Sequence, residues 1–390
     1  MLDLQAAVNG AADLIDGELR DLRRDVHAHP ELAGAENRTA ALVATELRAA
    51  GLDVTVGVGG HGVVGVLTGV NPGRTVAYRA DMDAVPPHEQ FGGDGQAAHL
   101  CGHDVHTTVG VGVARVLAGM RERLSGRIVF VFQPAEETLE GARAMLDDDL
   151  LGRFGPDEIH ALHCAPIEAG TFAVTPGTGM PGLDRAEITV TGSGAAGRAR
   201  TLAGEIAGLS TVTPPATAAE RERFVADLLT PDGPLARFVT VWAGVSERST
   251  DGHAVVTAAF RCWPPDRHGE VRDTIRALAS AQDRSLVDFP GEPFPAMVCG
   301  AADAEALREH LAEVSDGVVV ARAAMPFNGE DFALFLDRLP GTYTYLGVRA
   351  PGADIATASP HAGSFDPDER AIGAGVKAMA GWLALRAGRA

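Results

Sequence analysis

Residues 127–137 read Arg127-Ile128-Val129-Phe130-Val131-Phe132-Gln133-Pro134-Ala135-Glu136-Glu137. The run from Ile128 to Phe132 is β-branched and aromatic throughout, the composition of a buried strand. It ends in a pair of carboxylates. Towards the N-terminus lie an amphipathic stretch up to Arg24, a second over residues 37–50, apolar runs at 62–67 and 75–78, and a glycine-rich helical stretch at 107–120. Helix and strand periods alternating in this way predict an α/β fold.

The character changes after the Pro/Gly-rich residues 176–182, which read as a linker. Beyond them come a strand at 186–191, a helix at 198–209, strands at 238–242 and 254–260, a helix at 270–281 and a short strand at 285–289. That order resembles a ferredoxin-like module. A polar helix at 220–229, bracketed by Pro214, Pro215, Pro231 and Pro234, interrupts it. From about Phe294 the α/β pattern returns. We therefore expect a larger domain from residues 1–182 and 294–390, with a smaller α+β domain, 183–293, inserted as a lid.

A chain of 390 residues exceeds what one hydrophobic core usually supports, which agrees with two domains. Acidic residues number 52 against 33 basic ones, and the net charge of -19 would repel a phosphate backbone or an anionic membrane. Neither nucleic acid nor a membrane is expected as a partner. Cys101, Cys164, Cys262 and Cys299 are too few and too scattered for a disulfide scaffold, so a reducing cytoplasm is expected. The opening residues show no basic segment followed by an apolar run, and no stretch reaches roughly 18 uninterrupted apolar residues.

Several apolar strands of the larger domain end in groups able to bind or orient a metal, which is where open α/β sheets place their sites. The strand through Tyr78 leads to Asp81 and Asp83, the strand through Val131 to Glu136 and Glu137, and the strand through Ile159 to His163. His99, Cys101, His103, Asp104 and His106 lie between them, and His361 lies near the C-terminus. Each has an ordinary reading when taken alone. His163 would be a structural hydrogen-bonding residue, Cys101 a small buried hydrophobe, and Glu136 and Glu137 a helix N-terminus. Their joint occurrence points instead to a borderline-soft divalent ion such as zinc, manganese or cobalt. Adjacent residues at a strand end point different ways, so one carboxylate can bind metal while the other faces substrate. Hydrolysis at such a site needs a carboxylate that takes the proton of an activated water and passes it to the leaving amine. Glu136 is assigned that role and Glu137 the metal.

Several blocks carry a resemblance to a known family: His27-Ala28-His29-Pro30-Glu31-Leu32, Arg79-Ala80-Asp81-Met82-Asp83-Ala84-Val85-Pro86, Cys101-Gly102-His103-Asp104, Gln133 to Glu137, Gly329-Glu330-Asp331-Phe332 and Ser359-Pro360-His361. The sequence resembles the metallohydrolases that include aminoacylases, hippurate hydrolases and plant auxin-conjugate hydrolases. That resemblance implies a zinc-peptidase-like α/β domain with a lid, commonly paired as a dimer through the lid. It implies two metals bridged by Cys101 and completed by His103, Glu137, His163 and His361. Glu136 would be the general base, with Asp83 orienting a ligand. The expected activity is hydrolysis of an N-acyl amino acid or small peptide amide; the competing expectation is a metal-binding but catalytically silent homologue. The lid departs from the family, whose members usually follow the first lid strand with Gly-Gly-His and later carry Asn-Val-Ile-Pro. Here Gly192-Ser193-Gly194-Ala195-Ala196 lacks the His, and residues 245–252 lack Asn and Pro. Arg198, Arg200, Arg248 and His253 are the candidate replacements, and a substrate pocket unlike that of hippurate-type members is expected.

Overall fold

The computed structural model describes residues 2–389 apart from Arg248 and Asp283. The chain begins with α1 (Leu2–His27), α2 (Asn37–Ala49), β1 (Asp53–Val58), β2 (Gly62–Thr68), β3 (Asn71–Asp81), α3 (His103–Ala118) and β4 (Ser125–Gln133). Next come α4 (Gly141–Asp147), α5 (Leu150–Phe154), β5 (Glu158–Glu168), β6 (Thr171–Val174) and the two-residue β7 (Gly179–Met180). The lid contains β8 (Asp184–Thr191), α6 (Ala195–Ala207), α7 (Ala218–Leu228), β9 (Phe238–Val245), β10 (His253–Trp263), α8 (His268–Ser280) and β11 (Ser285–Asp288). The chain returns through β12 (Met297–Val298), α9 (Ala301–Val314), β13 (Gly317–Val320), α10 (Ala333–Leu336), β14 (Gly341–Arg349) and α11 (Arg370–Ala387).

Eight strands form a mixed sheet in the order β1-β2-β4-β3-β5-β14-β6-β13, with β4, β3, β5 and β14 mutually parallel at its centre. The strand alternation of side chains divides the core. Ile128, Phe130 and Phe132 of β4 pack towards α1, α3 and α11, where they meet Leu19, Val109 and Met379. Val129 and Val131 face the opposite layer with Met145, Phe154 and Phe335. Apolar side chains on both faces explain why this strand reads as a continuous hydrophobic run.

The lid is a four-stranded antiparallel sheet in the order β11-β8-β10-β9, the ferredoxin-like arrangement expected from the sequence. Ala186, Ile188 and Val190 of β8 point inward onto Leu202 and Ile206 of α6 and Ile275 of α8. The insertion helix α7 starts at a capping box formed by Thr217 and Glu220. It docks on the large domain: Phe224 lies against Phe327 with centroids 5.7 Å apart, the Leu228 carbonyl accepts from the Arg322 and Ala323 amides, and Glu222 pairs with Arg349 at 2.7 Å. On the outer side of β9, Ser210 and Thr211 hydrogen-bond the backbone of Val241 and Val239.

Two local expectations change. Residues 176–182 do not form a free linker, because β7 pairs with β12 and bridges at Pro176–Cys299 and Leu183–Phe294 flank the pair. Both crossings into the lid thus run side by side, a pairing that local composition cannot reveal. Nor does β5 end at His163: β3 leaves it after Ala161, while β14 accompanies it to Glu168. No helix among the described residues is long and apolar enough to cross a membrane.

A buried ion pair fastens the C-terminal helix to the sheet. Arg386 Nε donates to Glu158 Oε1 at 2.8 Å, Nη2 also donates to Glu158 Oε2, and Arg74 lies 3.3 Å from that carboxylate. Burial alone would raise the Glu158 carboxyl, but the Arg386 and His160 hydrogen bonds reverse this and hold it at about 2, below its ordinary 4.5. Its contribution is therefore complete above the ordinary value and fades as pH falls towards 2. Arg386→Ala should lower stability by roughly 3 kcal/mol at neutral pH, the lower end for breaking a buried pair because Arg74 remains. The difference from wild type should shrink below about pH 4 in denaturant unfolding; a difference that is absent at neutral pH, or undiminished in acid, would contradict this.

Candidate metal centre

The central parallel strands deliver a buried polar cluster to one end of the sheet. Asp81 and Gln133 are cross-strand partners at the ends of β3 and β4. Beneath them the fully buried Arg79 donates to Gln133 Oε1 at 2.9 Å, Asp81 Oδ2 at 2.7 Å, Glu330 Oε1 at 2.9 Å and Asp331 Oδ1 at 3.2 Å. Gln133 and the Ala142 amide hold Asp331, while the Tyr343 hydroxyl donates to Glu330 Oε2. Arg79 thereby ties two strands to the segment just before α10.

Above this floor, the sequence-expected ligands converge. Cys101, His103 and His163 have ligand atoms within 4.8 Å of one another, and so do Cys101, Glu137 and His361. Cys101 belongs to both sets. Gly102 makes the turn between Cys101 and α3 at φ 93°, where a Cβ would lie 2.7 Å from Cys164 Sγ. Each histidine is oriented through Nδ1: His103 to Asp83, with 2.9 Å to its carbonyl and 3.2 Å to its carboxylate; His163 to the Cys164 carbonyl at 2.8 Å; His361 to the Glu89 carbonyl at 3.1 Å. This leaves Nε2 towards the cluster, 3.3 Å from Cys101 Sγ for His163 and 3.4 Å from Glu137 Oε2 for His361. Asp83 also accepts from the Glu137 amide at 2.9 Å, so it orients one set through His103 and the other through Glu137.

His106 is different. Its Nε2 accepts from the Cys164 amide at 2.9 Å and its Nδ1 donates to Asp81 at 2.6 Å, so both nitrogens are satisfied within the protein. It buttresses the centre without a free donor. Two turns are held in left-handed backbone by ordinary residues, Ala135 at φ 53° and His361 at φ 64°, each costing about 1–2 kcal/mol.

The cluster is short of positive charge. Burial, reinforced by Asp83, Glu89 and Asp81 and opposed by His103, pushes Glu137 up to about 8. Burial and the neighbouring Glu330, Glu137 and Asp331 raise Glu136 well above the carboxylate range. Burial and Glu137 likewise raise the Cys101 thiol. Burial opposes a charge on His103, yet Asp81, Asp83 and Glu137 overcome it and carry the imidazole to about 10. Divalent cations fit these residues: the donors suit a borderline-soft ion, and His103 Nε2 and Glu137 Oε1 are buried with no hydrogen-bond partner among the described residues.

The lid adds a residue with no role assigned from the sequence. Arg261 of β10 is 9% exposed, has a buried Nε without a partner and forms no salt bridge among the described residues. Its guanidinium lies against Gly329, where a Cβ would come within 2.5 Å of Nη1, and Nη1 donates to the Pro181 carbonyl at 3.4 Å. Burial, with repulsion from Arg185, lowers it to about 10, and Glu136 acts the other way. The sequence signal was a charge inside the apolar run Phe260-Arg261-Cys262. Of the expected replacements for the missing lid histidine, Arg198 is bonded to the Ser193 and Thr191 carbonyls, Arg200 and His253 are exposed, and Arg248 lies outside the described residues.

Zinc, manganese or cobalt should raise the unfolding midpoint of metal-stripped protein, by about 2.7 kcal/mol of stability at a hundred times the dissociation constant. Calorimetric scans with and without each ion measure this. No shift with any of them would contradict a cation site here.

Residues 77–384 match the family described as Peptidase family M20/M25/M40. The chain is 30% identical to an N-acetyldiaminopimelate deacetylase of Bacillus pumilus over 384 residues, covering 95% of this chain and 98% of that protein. It is 30% identical to an N-acetylcysteine deacetylase of Bacillus subtilis over 374 residues, covering 91% and 93%. Among solved structures it is similar to the YXEP protein of Bacillus subtilis, described as a dinuclear metal-binding peptidase of the M20 family, with a TM-score of 0.73, 26% identity, and 96% and 99% of the two chains covered. With its α/β core, inserted lid and buried donor cluster, this chain belongs to peptidase family M20/M25/M40 and is a metal-dependent amide hydrolase.

Proposed function

We propose that the protein cleaves the amide bond of an N-acyl amino acid or small peptide, using two divalent ions, zinc, manganese or cobalt, held by Cys101, His103, Glu137, His163 and His361. The observation that carries this is the pair of donor sets sharing Cys101 beside Glu136. Bound there, divalent ions supply Lewis-acid activation of water and carbonyl. The chain's own residues supply the rest. Asp83 fixes the His103 tautomer and the Glu137 backbone. Glu136, whose hold on a proton is strengthened by burial and the neighbouring carboxylates, lies beside His103 and Glu137, where it would take the proton of the attacking water and deliver it to the leaving amine. Arg261, a buried guanidinium with no carboxylate partner among the described residues, is proposed to receive the carboxylate of the substrate. Names of the relatives, deacetylases of amino-acid derivatives, agree with such a substrate.

The proposed domain boundaries are 1–182 with 294–390 for the catalytic unit and 183–293 for the lid, supported by the paired crossings of β7 and β12. A lid-paired homodimer would use β9 beyond Val241, where Trp242 is 45% exposed, since Ser210 and Thr211 cover the strand before it. Four free, buried cysteines support a cytoplasmic setting.

The test is a panel of N-acyl amino acids and dipeptides given to metal-loaded protein, with amine release followed for wild type and Glu136→Gln. Glu136→Gln should retain the metal and lose roughly 10²–10⁴-fold in turnover, because the amide cannot accept the water's proton. Normal turnover by this variant would show that another group is the base.

A further inference from the structure

The motif from His27 to Leu32, with Glu36 beyond it, contributes no atom to the two donor sets, yet it reaches three segments that carry or flank them. His27 Nδ1 lies 2.8 Å from Asp104 Oδ2, next to His103 in the first turn of α3. The Glu31 carbonyl accepts from the Ala84 amide at 2.8 Å, next to Asp83. Glu36 accepts from the Ala135 amide at 2.8 Å, next to Glu136.

Glu36 is the most unusual of these contacts. Its side chain is completely buried; Oε1 accepts from Ala135 and, at 3.0 Å, from the Gly34 amide, while Oε2 has no partner among the described residues. A carboxylate in such a place is costly, and an apolar residue would fill the space more favourably. Its distinctive contribution is the acceptor presented to Ala135. Ala135 occupies left-handed backbone at φ 53°, and its carbonyl accepts from the Gly141 amide at 3.0 Å and the Glu140 amide at 3.2 Å. With Glu36 on its N–H, Ala135 is fixed on both sides. Rotation of Ala135 towards an ordinary φ would swing Glu136 away from the donor sets.

We propose that Glu36 is a positioning residue that holds the left-handed Ala135 turn and thereby aims Glu136; this rests on reading Glu136 as the proton acceptor. Reach, not charge, is then decisive. Glu36→Gln keeps a carbonyl oxygen at the same distance without the charge, whereas Glu36→Asp keeps the charge and withdraws the oxygen by one methylene. Metal-loaded variants would be assayed on an N-acetyl amino acid that the wild type hydrolyses, with metal content and unfolding midpoint measured in parallel. Glu36→Asp should lose about 10–100-fold in kcat with KM and metal content unchanged, the scale of an ångström-sized misplacement, and Glu36→Gln should stay within about threefold of wild type. Adding Ala135→Gly, which removes the steric cost of the left-handed turn, should recover part of the kcat lost by Glu36→Asp.

Wild-type kcat in Glu36→Asp, an equal loss in Glu36→Gln, or a change confined to KM would overturn the proposal. Should Glu36→Asp fail to fold, Glu36→Gln decides alone, with a loss beyond about tenfold overturning it. Glu136→Gln serves as the control: if it turns over normally, the reading of Glu136 fails, whatever the Glu36 variants do.

Discussion

Six carboxylates, those of Asp81, Asp83, Glu136, Glu137, Glu330 and Asp331, meet at one end of the sheet with side chains at most 8% exposed. Arg79 supplies the one guanidinium paired with them among the described residues. Two like charges 4 Å apart interact with about 4 kcal/mol at an effective dielectric of 20, and a whole domain is stable by only about 5–15 kcal/mol. Such a cluster cannot stay fully ionised without further positive charge. Protons can supply it, as the raised Glu137 and Asp331, both at about 8, indicate. Divalent ions are the other source, and the unpartnered His103 Nε2 and Glu137 Oε1 are placed to receive them.

Much of the architecture follows from managing this charge. Arg79 takes its position from β3 and spends its donors on β3, β4 and the segment before α10, so the charged floor also holds separate parts of the large domain together. The histidines proposed as ligands each surrender Nδ1 to a fixed oxygen, which leaves a single nitrogen available and removes a rotational choice. The left-handed turns at Ala135 and His361 place strain beside the same cluster.

The sequence made the α/β fold class and the convergence of Cys101, His103, Glu137, His163 and His361 legible, because both depend on local runs and on residue types with few other uses in combination. The lid's strand-helix order was legible for the same reason. What lay beyond reach were relations between distant segments. Gly179 and Met180 looked like linker because their partners, Met297 and Val298, lie on the far side of the lid. The polar helix α7 gave no sign that Phe224 would meet Phe327. His163 seemed to end its strand, since nothing local shows that β14 continues alongside β5. Glu36 and Arg261 escaped because a single charged residue reads as surface until its burial is known.

We propose that the carboxylate and imidazole cluster is built around two divalent ions, with Glu136 left free to move a proton. Anomalous diffraction from manganese-loaded crystals tests it directly. Two peaks are expected among the donor atoms of Cys101, His103, Glu137, His163 and His361, with Glu136 a ligand of neither ion. Absence of peaks from this cluster, or Glu136 as a direct ligand, would contradict it.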